Sequence, residues 1–82
     1  MLFAEECEAS LRAAGYRLVE HNDVTHAFIS PDAGARLCLV FADRFELYDN
    51  SHERPLRLIA SGRRVGELAA VIRQTTARRP LN

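Results

Sequence analysis

The sequence contains no lysine: all 11 of its basic residues are arginines. A GC-rich genome produces this bias, because it favours arginine codons over lysine codons. Selection for interfaces produces it too, because the planar guanidinium group pairs bidentately and is weakly hydrated. The bias alone does not separate the two explanations. An excess of charge of either sign is also absent, because 11 acidic residues balance the arginines. This balance excludes a strongly basic nucleic-acid-binding arm and a strongly acidic DNA mimic as descriptions of the whole chain.

Cysteines and long apolar segments are scarce as well. Cys7 and Cys38 are too few for a disulfide-dense scaffold, and we expect both thiols to be reduced in a cytoplasmic protein. No apolar run reaches the roughly 18 residues of a membrane-spanning helix, so no membrane contact is expected. The first residues are acidic where a secretory signal would be basic. At 82 residues, we expect a single domain over residues 1–82, with a frayed end at 78–82.

Amphipathic periodicity predicts a helix at each end of the chain. Apolar residues recur at spacings of three and four over residues 2–14, and Gly15 follows them as a natural helix stop. A second such stripe begins at Ser61 or Gly62 and ends near residue 77. On the first helix Cys7 falls on the apolar side, which predicts a buried thiol.

Between the helices the apolar spacing changes to two, which predicts strands. Asn22-Asp23 and the segment Pro31–Gly34 are the clearest turn signals, and we expect a positive φ at Gly34. The connections are short, which favours an antiparallel meander. The predicted fold class is α+β, with one sheet of four or five strands flanked by an N-terminal and a C-terminal helix. The predicted strands cover residues 16–21, 24–30, 35–42, 45–48 and, as a possible fifth, 56–60.

The turns also predict which side chains oppose one another. The turn at Pro31–Gly34 is predicted to set Phe28 opposite Leu37. A three-residue turn before Phe45 is predicted to set Phe45 opposite Phe41, whereas a two-residue turn would move the whole fourth strand to the other face.

Under this register both faces of the central hairpin are apolar. An antiparallel sheet with one face in water should instead alternate apolar and polar residues. Either the two helices divide between the faces, or another chain covers one face. We expect a homodimer, because two short helices cannot cover both apolar faces and an exposed apolar patch would remain. The face predicted to meet the second copy consists of Thr25, Ala27, Ile29, Cys38 and Val40.

No catalytic, cofactor-binding or metal-binding residue is predicted. A zinc site needs three or four protein ligands, and only His21 and His26 converge. The adjacent residues Ser51-His52-Glu53 lack the scaffold that a catalytic triad requires. Neither a P-loop nor a dinucleotide-binding glycine pattern occurs. We therefore expect no cofactor and no enzymatic activity.

Arginines are concentrated towards the C-terminus, where Glu67 is the single acidic residue after residue 53. Three interpretations are open: these arginines only face solvent, they bind an acidic protein partner, or they bind nucleic-acid phosphates. The region lacks an aromatic residue on which bases could stack, which argues against nucleic acid. The candidate partner-binding residues are Arg54, Arg57, Arg63, Arg64 and Arg73.

These observations favour a small non-enzymatic binding protein that acts through protein–protein contacts. The alternative is a nucleic-acid-binding module that uses the C-terminal arginines. Inhibitors of larger host complexes encoded by phages and mobile elements, anti-CRISPR proteins among them, are often small domains without a site of their own. That parallel rests on size and on the missing site, and no motif supports it.

Overall fold

The computed structural model describes residues 2–50 and 56–77, with side chains described as far as Thr75. It confirms the α+β fold: a five-stranded antiparallel meander, with strands in chain order, lies between a helix at each end. The predicted frayed end and Arg54 lie outside the described residues. The elements are α1 (Phe3–Ala13), β1 (Arg17–His21), β2 (His26–Ile29), β3 (Arg36–Val40), β4 (Phe45–Asp49), β5 (Arg57–Gly62) and α2 (Val65–Ala77).

Helix α1 ends at Ala13, and Gly15 provides the stop that the sequence predicts. The φ angle of Gly15 is 93°, and its N–H donates to the carbonyl oxygen of Arg12 over 3.0 Å. The next N–H, of Tyr16, donates to the carbonyl oxygen of Leu11 over 2.9 Å. These two bonds form a Schellman motif, which satisfies carbonyls at the helix end and reverses the chain into β1.

The connection between β2 and β3 is one residue longer than the sequence predicts. Ser30 pairs with Arg36, since the Ser30 N–H donates to the Arg36 carbonyl oxygen over 3.0 Å. One extra residue moves every later side chain of β3 to the opposite face. The predicted pairing of Phe28 with Leu37 is therefore wrong, and Phe28 opposes Cys38 instead.

Local contacts explain the longer turn. Ala33 and Gly34 both have positive φ angles, 63° and 70°, which confirms the expectation for Gly34 and adds a second left-handed residue. The Asp32 carboxylate accepts hydrogen bonds from the Ser30 hydroxyl and, over 3.0 Å, from Nη1 of Arg36. The Ser30 hydroxyl oxygen in turn accepts the Arg36 N–H over 3.0 Å. These bonds close the turn around the Ser30–Arg36 pair.

The turn between β3 and β4 is one residue shorter than predicted. The Phe41 N–H donates to the Arg44 carbonyl oxygen over 2.8 Å, which leaves residues 42–43 as the turn. Phe45 therefore opposes Val40, and the predicted pairing with Phe41 is wrong. The second register change compensates for the first, so Phe45 still shares a face with Phe28.

Both helices lie on the same face of the sheet, which we call the inner face; the opposite one is the outer face. A single buried cluster joins α1, α2 and the inner face. The sequence left two arrangements open: the helices divide between the faces, or another chain covers one face. For the described residues, the first arrangement is excluded. The largest fully buried side chains are Phe28, Phe45, Leu11, Leu47, Leu68, Cys7 and Cys38.

Helix α2 begins later than predicted because β5 continues through Gly62. The start of α2 is capped by Glu67, whose Oε1 accepts the N–H groups of Arg63 and Arg64 over 3.1 and 3.2 Å. A glutamate at the third helical position that reaches back in this way satisfies N–H groups that the helix itself leaves unpaired.

Each edge strand carries a one-residue bulge. In β1, Val19 lies between the pairs that Leu18 and Glu20 form with β2. In β5, Ile59 lies between Leu58 and Ala60, which pair with consecutive residues of β4. Both edges of the sheet are thus irregular, while the three inner strands pair without interruption.

Candidate interaction surface

The strand register arranges the outer face into two rows of side chains that run across all five strands. Directly opposed residues of antiparallel strands share a face and contact one another, so each chain of pairs forms a row. The first row is mostly apolar and the second is smaller and more polar. The first row is Arg17, Ile29, Leu37, Tyr48 and Leu58, and the second row is Glu20, Ala27, Leu39, Glu46 and Ser61.

The predicted dimer face does not form one surface. Ala27 and Ile29 lie on the outer face as predicted, but Cys38 and Val40 lie in the core, 0% and 2% exposed. The longer β2–β3 turn is the reason, because it turns these two side chains towards the helices. Thr25 lies in the β1–β2 turn, where its N–H donates to Oδ1 of Asn22 over 2.9 Å.

Leu37 and Leu39, which the predicted register placed on the opposite face, replace them. Leu37 and Leu39 occupy the middle of the two rows, and Tyr48 and Leu58 extend the first row towards β5. Neighbouring side chains leave Leu37 and Leu39 half-buried, whereas Leu58 at the edge is 53% exposed. Among the described residues no helix covers these side chains. Ala33 is left-handed in the longer turn that causes this exchange, and an alanine gives no sequence signal for that conformation.

The acidic residue in the centre of the outer face is neutralised by its neighbours. The Glu46 carboxylate accepts Nε–H of Arg44 over 3.2 Å and the hydroxyl of Tyr48 over 2.8 Å. The bond to Glu46 is the main cause of a raised pKa of Tyr48, because it favours the protonated phenol. The Arg44 guanidinium also lies 4.0 Å from the centroid of the Phe41 ring. The face as a whole therefore carries no strong excess of charge.

The described candidate arginines are separated along the fold. Arg57 begins β5, and Arg63 and Arg64 follow its end, roughly 20 Å away at the rise of a strand. Arg73 lies nine residues beyond Arg64 on α2, roughly 13 Å further along the helix. All four are exposed, and Nη1 of Arg63 lies 3.9 Å from Oδ2 of Asp43. They form a dispersed basic surface rather than one phosphate-binding cluster.

The two thiols are both free and both buried. Desolvation by burial, with a smaller contribution from Glu6, raises the pKa of Cys7 to about 11. Desolvation, with a contribution from Cys7, raises the pKa of Cys38 to about 12. Both thiols are therefore protonated at neutral pH, the form that is not a nucleophile.

The two histidines that the sequence brings together do meet. His21 opposes His26 across β1 and β2, and their rings make an edge-to-face contact with centroids 5.7 Å apart. Asn22 closes the turn between them by accepting the N–H of Val24 over 2.8 Å. Within residues 2–50 and 56–77, no group of three or more His, Cys, Asp or Glu side chains is placed to share a metal ion.

A cleft of about 390 Å³ opens beside the β1–β2 and β3–β4 turns. Val40 and Phe41 contribute apolar surface to it, and His26, Asp43 and Arg44 contribute polar groups. The last two pair with each other, with Nη1 of Arg44 3.5 Å from Oδ1 of Asp43. Asp43 and Arg44 thus satisfy each other, and Asp23 also lines the cleft.

Neither α1 nor the described part of α2 is long and apolar enough to cross a membrane. No family model, no curated protein and no solved structure matches the chain.

Proposed function

We propose that this chain is a non-enzymatic binding protein that acts through protein–protein contacts, and that its outer face joins two copies of the chain. The apolar centre of the outer face supports this proposal. Leu37, Leu39 and Ile29 occupy positions where an antiparallel sheet in water usually carries polar residues. Removing such a surface from water favours association.

The charges of the outer face favour a second copy over a strongly charged partner. One arginine and one glutamate, Arg17 and Glu20, lie on β1, and Arg44 neutralises Glu46. A highly charged partner would find no excess of opposite charge on this face, and its own charges would lose hydration in the contact. A copy of the same nearly neutral sheet face matches it, and a self-complementary patch is all that a two-fold dimer needs.

A dimer formed in this way leaves the helices on its outside. The exposed residues Arg57, Arg63, Arg64 and Arg73 then remain available to an acidic protein surface. We propose that target contacts are made there, which is the manner in which a small inhibitor of a larger complex would act. The free thiols of Cys7 and Cys38 support a cytoplasmic location, where disulfides rarely persist.

The mass of the protein in solution tests the proposal. Sedimentation equilibrium at micromolar concentrations should give twice the 9.2 kDa of one chain. Leu37→Glu should give a monomer, because it places a charge without a partner in the centre of the contact. Val24→Glu is the matched control: Val24 is 68% exposed in the β1–β2 turn, so this variant should remain dimeric.

A mass of one chain for the unmodified protein would overturn the dimer. A dimer that persists in Leu37→Glu would show that the contact lies on another surface. Circular dichroism of each variant should match that of the unmodified protein, since Leu37 and Val24 both lie outside the buried core.

A further inference from the structure

We infer that the two copies pack face to face about a two-fold axis that runs across the strands, between the two rows of the outer face. Such an axis places the first row of each copy on the second row of the other. Each strand then lies over the same strand of the second copy, in the opposite direction. The inference rests on the proposed function and specifies the geometry of its contact.

Side-chain sizes support this axis. The axis stacks Ile29 on Ala27 and Leu58 on Ser61, a large side chain on a small one in each case. At the centre it stacks Leu37 on Leu39, which keeps the middle of the contact apolar. Interdigitation of this kind is how the facing sheets of a sandwich fill the roughly 10 Å between them.

The charges of β1 support the same axis. Arg17 belongs to the first row and Glu20 to the second. Stacking of the rows puts Arg17 of each copy opposite Glu20 of the other, which forms two equivalent ion pairs at the rim. Both residues are exposed in the single chain, so both can extend towards a facing sheet.

The main alternative is a two-fold axis that runs along β3. It would place each row on itself in reverse, with Arg17 over Leu58 and Glu46 over Ala27. Arg17 would then face an apolar side chain without a partner, which costs free energy, whereas Glu46 keeps its bonds to Arg44 and Tyr48. The axis across the strands avoids this cost, and the charges of β1 become complementary.

Charge reversal on β1 tests the axis. Arg17→Glu and Glu20→Arg each turn two attractive pairs into two repulsive pairs, and each should weaken dimerisation about tenfold at low salt. The double variant restores opposite charges and should return the dissociation constant to within about twofold of the original value. The matched control on a helix is Glu5→Arg, at an exposed position, and it should leave the dissociation constant unchanged.

The outcomes separate this inference from the proposal beneath it. If the protein is a monomer, the dimer itself is wrong. If Leu37→Glu abolishes a dimer that the charge reversals leave intact, the outer face is the contact but the axis is wrong. If both reversals weaken the dimer and the double variant does not recover, Arg17 and Glu20 do not face each other, and the axis is again wrong.

Discussion

Individual glycines in this chain have opposite backbone requirements. Gly34 has a φ angle of 70°, which an L side chain adopts only with strain. Gly66 lies in the first turn of α2, where a Cβ atom would meet nothing within 4 Å. We expect Gly34→Ala to lower the free energy of unfolding by about 1 kcal/mol. Gly66→Ala should raise it by about 0.5–1 kcal/mol, because alanine loses less backbone entropy in a helix.

Urea denaturation of the two variants measures both effects against the same reference. Effects of the same sign would contradict the turn geometry at Gly34 or the helical assignment of Gly66. Gly15→Ala offers a second check of the left-handed positions: its Cβ would also come within 3.1 Å of Cγ of Pro31.

The two thiols give a second prediction at the scale of single residues. Cys7 and Cys38 are 0% exposed, and burial raises the pKa values of both thiols to about 11 and 12. A thiol reagent at mildly alkaline pH should therefore label the native protein slowly and the denatured protein at once. Rapid labelling of both cysteines in the native protein would show that the inner face is open to solvent.

At the scale of elements, the sequence predicted both helices and four strands, with the fifth strand as a possibility, and it placed every end except the start of α2 to within two residues. Periodicity was sufficient for this because α1 has a complete apolar stripe and a glycine stop, and because the strands change cleanly to a spacing of two. The register was not predictable. It depends on turn lengths, and the β2–β3 turn uses Ala33 in a left-handed conformation that its residue type does not indicate.

The register makes a prediction that separates the two faces. Leu47 is fully buried on the inner face, whereas Leu39 is half-buried on the outer face. In dilute monomeric protein, Leu47→Ala should lower the free energy of unfolding by about 3 kcal/mol, because it leaves a cavity in the core. Leu39→Ala should lower it by less than about 1 kcal/mol, because its neighbours and solvent adjust.

Thermal and chemical denaturation of both alanine variants provide the comparison. The register predicted from sequence places Leu39 and Leu47 side by side on one face and would give them similar effects. Equal losses would therefore favour that register over the one described here.

At the scale of the whole molecule, the sequence predicted the number of apolar sheet faces better than it predicted which residues lie on each face. Two apolar faces and two short helices implied an uncovered surface, and the structure places both helices on the inner face. Cys38 and Val40 exchanged places with Leu37 and Leu39, because one turn is longer and the next is shorter. The outer face stays apolar after this exchange, because Leu37 and Leu39 are as apolar as the residues they replace.

The bulges at Val19 and Ile59 have a consequence for how the protein behaves when it is concentrated. An edge strand with regular, unpaired N–H and C=O groups is a template to which further strands add, and such growth has no natural end. A bulge interrupts that template and increases the local twist. With a bulge in each edge strand, we expect the sheet to resist the edge-to-edge addition of further strands that builds fibrils, even though its outer face is apolar.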